Sequence, residues 1–221
     1  MNLLDFSARM LEAQKRGTWL FDLAMLRLIF REESDDALKV SIHRRLKDGS
    51  LLAISPMRAA ERDCDDQLKR AKKSRQAPQG LRGLYVMPSA SLMPRNAIGT
   101  ILDLIRPHDL TYLSLEYRLS ELGAISQAPS VATFMTTGTG GLYNTMIGDI
   151  ELVHTKRRKQ DILTDLEFDK ERGYYAASPS LAYKDLRSTR RSTIDLVDMD
   201  DLCELIEEQN AAAMSSEFGR R

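Results

Sequence analysis

A four-residue repeat of Leu38, Ile42 and Leu46 is the feature that most restricts how this 221-residue chain can fold. Residues at this spacing lie along one edge of an α-helix, so the segment predicts a helix with one buried edge. Gly49 follows at the point where helices commonly end, because glycine adopts the left-handed conformation without strain. The repeat therefore predicts a helix over residues 35–48, and the other segments can be assigned relative to it.

Two further helices are predicted before this one. Apolar residues at helical spacing from residue 3 to residue 11 predict a first helix, which should end near Gly17. Thr18 can cap a second helix that continues through Phe30. That segment is so apolar that we expect it to be the central helix of the core.

Two short strands are predicted after the repeat. Residues 51–55 and 83–87 are apolar and flanked by residues typical of turns. Three helices followed by two strands is the order of a winged helix-turn-helix. The sequence therefore predicts a DNA-binding domain over residues 1–90, with a basic insertion at 56–81 between the two strands.

The remaining residues, 91–221, predict a second domain after a boundary rich in proline and serine at 88–96. Helices are predicted at 97–105, 113–122, 179–186 and 199–209, strands at 131–136 and 149–154, and a frayed tail at 211–221. The predicted fold class is α+β: an N-terminal winged helix-turn-helix followed by a mixed α/β C-terminal domain with a small antiparallel sheet.

Charge is segregated along a chain whose formal net charge is zero. Residues 37–82 include twelve basic and five acidic residues, whereas residues 195–208 include seven acids and no lysine or arginine. Attraction to a polyanion must therefore arise locally, in the N-terminal third of the chain. The residues predicted to contact double-stranded DNA are Lys39, Ser41, His43, Arg44 and Lys47 in the major groove, with Arg58 and Arg82 on phosphates near the wing. The alternative for these residues is an ordinary solvated surface.

Basic residues also cluster in the second domain. They are Lys156, Arg157, Arg158, Lys184, Arg187, Arg190 and Arg191. Such clusters could bind an acidic partner or extend the DNA surface. A solvated helix or loop face is the alternative for each cluster taken separately.

A pair of acids in the second domain raises an enzymatic alternative. Asp149 and Glu151 alternate on a predicted strand that follows Gly140 and Gly141, so their side chains lie on the same face. This arrangement is similar to the magnesium-binding pair of nucleotidyltransferases. No third carboxylate strand follows, so no catalytic residue is predicted, and a nucleotidyltransferase is the minor alternative.

No metal site, cofactor or membrane segment is predicted. Three histidines and two cysteines, Cys64 and Cys203, lack the spacing of metal ligands or of a disulfide framework. No apolar run approaches the roughly 18 residues of a membrane span, and the first residues do not have the pattern of a secretory signal. We therefore expect a cytoplasmic protein.

With these segments in order, the sequence resembles the AbiEi family of antitoxins from AbiE-type, or type IV, toxin-antitoxin operons. The resemblance is carried by residues 22–23, 46–52, 83–86, 106–107, 112–116, Leu119, 123–127, 136–138, 147–152 and 177–186. It implies an N-terminal winged helix that represses its own operon and a C-terminal domain that counteracts a nucleotidyltransferase-like toxin, with or without direct contact. It is also compatible with dimerisation on operator DNA. A stand-alone winged-helix transcription regulator is the alternative within the same functional class.

Overall fold

The computed structural model describes residues 2–56, 83–88, 93–145 and 147–218. The predicted phosphate contacts Arg58 and Arg82, and nearly all of the predicted insertion, lie outside these residues. The structure forms two compact units, one from residues 1–94 with 142–147 and one from 95–141 with 148–221. Within the described ranges, no helix has the length and apolar character needed to cross a bilayer.

The first unit contains three helices and short strands. These are α1 (Leu3–Lys15), β1 (Leu20–Phe21), α2 (Leu23–Ile29), α3 (Asp35–Lys47), β2 (Leu52–Ala53), β3 (Ser55–Pro56) and β4 (Tyr85–Val86). Asn2, Asp22 and Ser34 cap the three helices, each accepting a hydrogen bond from a backbone N–H three residues later. Such caps satisfy the free N–H groups of the first turn and fix where each helix begins.

The predicted second helix is wrong in its start and in its role. Thr18 does not cap it, because residues 20–21 form β1 and the helix begins only after Asp22. Leu26 is the one buried residue of α2, and Leu28 on the same helix is 76% exposed. The apolar residues before Asp22 serve a sheet instead, so the segment is divided between a strand and a largely exposed helix.

Strands β1, β4 and β2 form an antiparallel sheet in that order. Val86 lies opposite both Leu20 and Leu52 and so stands at the centre of the sheet. The sheet and the three helices share a core of Phe6, Met10, Phe21, Leu26, Phe30, Leu38, Ile42 and Leu51. Phe6 and Phe30 stack with their ring centroids 5.0 Å apart, which fixes α1 against the end of α2.

The second unit is a mixed α/β structure. Its elements are α4 (Ala97–Ile105), β5 (Thr111–Leu113), α5 (Leu115–Glu121), β6 (Val131–Thr136), β8 (Gly148–His154), α6 (Lys159–Leu163), β9 (Leu166–Asp169), β10 (Tyr174–Ala177), α7 (Pro179–Thr189), a 3-10 helix (Ser192–Leu196) and α8 (Met199–Phe218). Strand β7 (Gly141–Thr145) belongs, except for Gly141, to the first unit, where it pairs with β3. The mixed α+β class is confirmed.

The sheet of the second unit contains antiparallel strand pairs, as predicted, and parallel pairs as well. Its strands run in the order β8, β6, β5, β10, β9, with β6–β8 and β5–β10 parallel and the other two pairs antiparallel. Parallel neighbours require crossover connections, and α5 and α6 lie in the chain segment between the parallel strands β5 and β10. The sheet and helices share a core that includes Tyr112, Leu119, Met135, Ile162 and Leu186.

Local signals fix the start of α7 in this unit. Ser178 caps α7 by accepting from the Leu181 N–H at 3.2 Å, and Pro179 occupies the first helical position, as predicted. Helix α8 continues to Phe218, so the tail predicted at 211–221 is helical over most of its length.

Candidate nucleic-acid interface

Helix α3 has a buried edge and an exposed edge, as its sequence predicts. Leu38 and Ile42 are almost fully buried in the core of the first unit, and Leu46 is partly buried. The acids Asp35 and Asp36 lie in the first turn, and the basic residues lie in the last. This order opposes the partial charges of the helix ends and so stabilises the helix.

Four of the five predicted groove residues are exposed on α3. Lys39, His43 and Lys47 follow one another at four-residue spacing, and Arg44 lies beside this row. We call these four residues the α3 cationic row. Lys39 makes an exposed ion pair with Asp36 at 3.4 Å, whereas Arg44 and Lys47 make no ion pair with any described residue. The row therefore presents at least two cations that are available to a phosphate or a base edge.

The fifth predicted residue, Ser41, is placed differently. It is only 5% exposed, and its hydroxyl makes no hydrogen bond within the described part of the chain. Its position beside Leu38 and the buried Arg45 on the helical wheel turns it toward the core. Because a buried hydroxyl is poorly placed to reach a groove, we leave Ser41 out of the proposed DNA contacts.

Arg45 anchors α3 rather than extending the row. It is 8% exposed, its Nη1 donates to Asp48 Oδ2 at 2.9 Å, and its guanidinium lies 5.9 Å from the ring centroid of Phe6. Hydrogen bonds from the Ser50 hydroxyl and N–H, together with the charge of Arg45, lower the pKa of Asp48. The carboxylate thus stays charged and holds the turn after α3 in place.

Ion pairs connect α3 to the helices before it. Arg27 of α2 pairs with Asp35 of α3 at 3.0 Å, and Arg9 of α1 pairs with Glu32 in the connecting turn at 3.2 Å. These exposed pairs contribute little individually, about 0–1 kcal/mol each. Their effect on the site is to neutralise acids near the start of α3.

Val40 is a residue of this surface that sequence reasoning missed. It lies on the outer face of α3 and is 51% exposed. An exposed apolar residue among cations can contact the methyl group of thymine in a major groove. The sequence does contain a signal for it, because Val40 lies outside the buried repeat. A valine on that face of the helix has no core to pack against and must be exposed.

The basic residues predicted in the second unit are not equivalent. Lys156, Lys184, Arg187 and Arg190 are exposed and form no ion pair with residues the structure describes. Arg158 is exposed but pairs with Asp161 at 3.1 Å. The first four residues are therefore the cations of this unit that remain available to a partner.

Arg157 is held by a buried polar network. Its Nη2 lies 3.5 Å from Oδ1 of Asp185, a residue with no solvent exposure. The hydroxyls of Tyr112 and Ser114 donate to the other oxygen of Asp185 at 3.0 and 2.9 Å. Burial raises the pKa of Asp185, although these donors and Arg157 act in the opposite direction. The network joins β5, α7 and the loop after β8.

Arg191 belongs to a second network and is not a surface cation, which corrects its predicted role. It is ion-paired with Glu116 and with Glu151, the latter at 2.9 Å, and its side chain is only 20% exposed. Buried acids attract a cation inward because an unpaired buried charge is costly. The same contact affects the enzymatic alternative, since Glu151 of the proposed acid pair already has a cationic partner.

The residue before Glu116 has an unusual backbone. Leu115 has φ of 61° and is fully buried. A non-glycine residue in this region costs on the order of 1–3 kcal/mol and persists only where its surroundings fix it. Ser114 and Glu116 on either side are both bound to groups of other elements, which provides that constraint.

Among the described residues, no group of three or more histidines, cysteines, aspartates or glutamates is placed to hold a metal ion. Comparison of the chain with family models, with curated proteins and with solved structures gives no match.

Proposed function

We propose that this protein is a DNA-binding antitoxin that represses its own operon and counteracts a nucleotidyltransferase-like toxin. The observation that carries the DNA-binding part is the α3 cationic row, which lies on the exposed edge of a helix whose other edge is buried. An α-helix fits the major groove, where arginine and lysine reach the acceptors of guanine.

The arrangement of the first unit supports a winged helix-turn-helix. Helices α2 and α3 are joined by a short turn. Strands β2 and β4, which follow α3, pair with each other, and β4 also pairs with β1, the strand before α2. In such a fold the helix after the turn enters the groove, and the first helix of the pair crosses the backbone. We therefore assign α3 as the recognition helix.

The residues of α3 have separate roles in this proposal. Arg44 and Lys47 contact bases or phosphates, His43 adds a hydrogen-bond donor, and Val40 contacts a thymine methyl group. Lys39 exchanges its partner Asp36 for a phosphate. Two copies bound to inverted repeats would give the two-fold arrangement common for such proteins.

The antitoxin part of the proposal rests on the resemblance to AbiEi antitoxins and on the second unit. Lys156, Lys184, Arg187 and Arg190 supply cations for an acidic partner surface or for DNA flanking the operator. A stand-alone regulator would not need a surface that binds a toxin. The antitoxin and regulator hypotheses therefore differ in the role they give to the second unit.

DNA binding is tested with a labelled duplex of the chain's own promoter region. We expect Arg44→Ala and Lys47→Ala each to weaken binding about tenfold or more, within the range of roughly 1–3 kcal/mol for a base contact. Lys15→Ala on α1 is the matched control, because Lys15 is an exposed lysine away from α3. Unchanged affinity of both α3 variants at low salt would end the proposal.

Toxin neutralisation is tested by co-expression with the adjacent reading frame. Rescue of growth supports the antitoxin, whereas promoter binding without rescue supports the stand-alone regulator. The nucleotidyltransferase alternative predicts nucleotide transfer from triphosphates with magnesium, lost in Asp149→Asn. Absence of transfer in the wild type would remove that alternative.

A further inference from the structure

Strand β9 is an edge of the sheet in the second unit. It pairs with β10 on one side, from Leu166 opposite Ala177 to Asp169 opposite Tyr174. No described strand pairs with its other side. An open edge carries unpaired backbone donors and acceptors that can accept a further strand.

The hydrogen-bond pattern identifies which backbone groups are open. The Ser178 N–H donates to the Asp165 carbonyl at 2.9 Å, so this residue pair is a hydrogen-bonded one. Antiparallel strands alternate, which turns Glu167 and Asp169 toward β10 and the backbone of Leu166 and Phe168 outward. These two residues therefore offer two N–H and two carbonyl groups to an added strand.

An exposed aromatic side chain lies on this edge. Phe168 is 47% exposed, and its ring meets that of Tyr175 edge to face with centroids 5.0 Å apart. An exposed phenylalanine on an unpaired strand is a feature that soluble edges usually avoid. It gives an added strand an apolar contact as well as hydrogen bonds.

A cavity of about 140 Å³ opens beside Phe168. Asp103 of α4 and Asp109 line it together with Tyr175. Neither aspartate makes an ion pair with a described residue. Arg106 also lines the cavity, but its guanidinium donates to the carbonyl oxygens of Thr139 and Ile105.

We propose that the β9 edge binds an extended segment of a partner protein by strand addition, with a lysine or arginine of that segment entering the cavity beside Phe168. Two carboxylates and three aromatic rings, those of Phe168, Tyr174 and Tyr175, are a suitable lining for such a cation. Glu167, exposed and without an ion pair in the described ranges, adds a negative charge to the same strand on the sheet face opposite Phe168. The proposal goes beyond operator binding and does not depend on α3.

Charge argues against two other occupants. In the register that pairs Leu166 with Phe168 of a second copy, the two Glu167 side chains would lie opposite each other, and like charges opposite each other destabilise a strand pair. A nucleic acid would bring phosphates against Asp103 and Asp109. A basic, extended polypeptide meets neither penalty, so it is the occupant to which we commit.

The test uses the full chain and three synthetic ten-residue peptides. The first alternates lysine and valine, the second is identical but methylated on every backbone nitrogen, and the third replaces each lysine by glutamate. We expect only the first to bind in a nuclear magnetic resonance titration. We also expect amide hydrogen exchange to slow at Leu166 and Phe168 but not at Glu167, whose N–H already faces β10.

Variants provide the second arm of the test. Asp103→Asn with Asp109→Asn should weaken binding at least fivefold, whereas Asp200→Asn with Asp201→Asn on α8 is the matched control and should not change it. Equal binding of the methylated peptide, or full binding by the Asp103 and Asp109 double variant, would overturn the proposal. The proposal would also be overturned if the protein sedimented as a dimer and Phe168→Lys converted it to a monomer, because a second copy would then occupy the edge. None of these outcomes affects the operator test.

Discussion

Nη2 of Arg191 lies 2.9 Å from Oε1 of Glu151, which joins the residues that follow α7 to strand β8. The same guanidinium also pairs with Glu116 at the start of α5, so one arginine connects three elements. Partly buried charges of this kind matter mostly through what is left behind when one is removed. Substitution of Arg191 is therefore the clearest test of which basic residues stabilise the fold and which are free to bind a partner.

Replacing Arg191 should destabilise the protein. Arg191→Ala removes the cation that pairs with the buried Glu116 and the partly buried Glu151, and we expect a loss of about 2–4 kcal/mol in the free energy of unfolding. Urea denaturation followed by circular dichroism measures it. Arg190→Ala is the matched control, because Arg190 is exposed and makes no ion pair in the described ranges; we expect a change within about 0.5 kcal/mol. Equal effects of the two variants would contradict our assignment.

The buried carboxyl of Asp185 should make stability depend on pH. Burial raises its pKa above the usual 3.8, so the folded state holds the proton more tightly than the unfolded state does. Its contribution to stability is then greatest below pH 3.8 and declines as the pH rises through the raised pKa. Asp185→Asn removes this decline, so the variant should gain relative to the wild type with increasing pH.

Thermal unfolding of both proteins across a pH series measures that difference. Asp185→Ala extends the test, because it leaves the hydroxyls of Tyr112 and Ser114 without their acceptor and should cost about 3 kcal/mol. A difference between Asp185→Asn and the wild type that stays constant with pH would show that this carboxyl does not titrate as we infer.

Ser41 offers a prediction of the opposite sign. Its hydroxyl is buried without a hydrogen bond to any residue that the structure describes, and alanine is the better helix former. Ser41→Ala should therefore raise the free energy of unfolding by about 0.5–1 kcal/mol and leave promoter binding unchanged. Denaturation and anisotropy measurements on the same preparation check both parts, and weaker DNA binding in a stable variant would return Ser41 to the interface.

A glycine contact should be intolerant of any side chain. A Cβ on Gly99 of α4 would lie 2.2 Å from the backbone oxygen of Gly173, next to β10. Gly99→Ala must move the helix or the turn, so we expect a loss of about 1–3 kcal/mol. Gly123→Ala is a comparison with no atom in the way but with φ of 90°, so its cost is backbone strain alone. Scanning calorimetry of the alanine and serine variants at both positions distinguishes the steric cost at Gly99 from the backbone strain at Gly123.

The sequence predicts elements that carry their own local signals. Helix α4, strand β6 and the start of α7 lie where the pattern indicates, because period, caps and β-branched content are all local. Strands β1 and β5 were missed because they are two or three residues long and depend on partners far along the chain. Propensity has little influence over such short segments.

The candidate site follows the same division. The exposure of Lys39, Arg44 and Lys47 follows from helical period alone, so sequence reasoning could place them. The burial of Arg191 depends on acids 40 and 75 positions earlier in the chain, Glu151 and Glu116, and no local pattern contains that information.

The pairing of β3 with β7 has a practical consequence for dissecting the protein. Ser55 lies opposite Asn144 and Pro56 opposite Tyr143, so the first unit includes chain that is synthesised some ninety residues later. A fragment that stops near residue 94 would omit that strand and leave an edge bare. Separation of the DNA-binding activity by simple truncation is therefore expected to yield an incomplete unit, and a circularly rearranged or internally spliced gene is the better route to an isolated one.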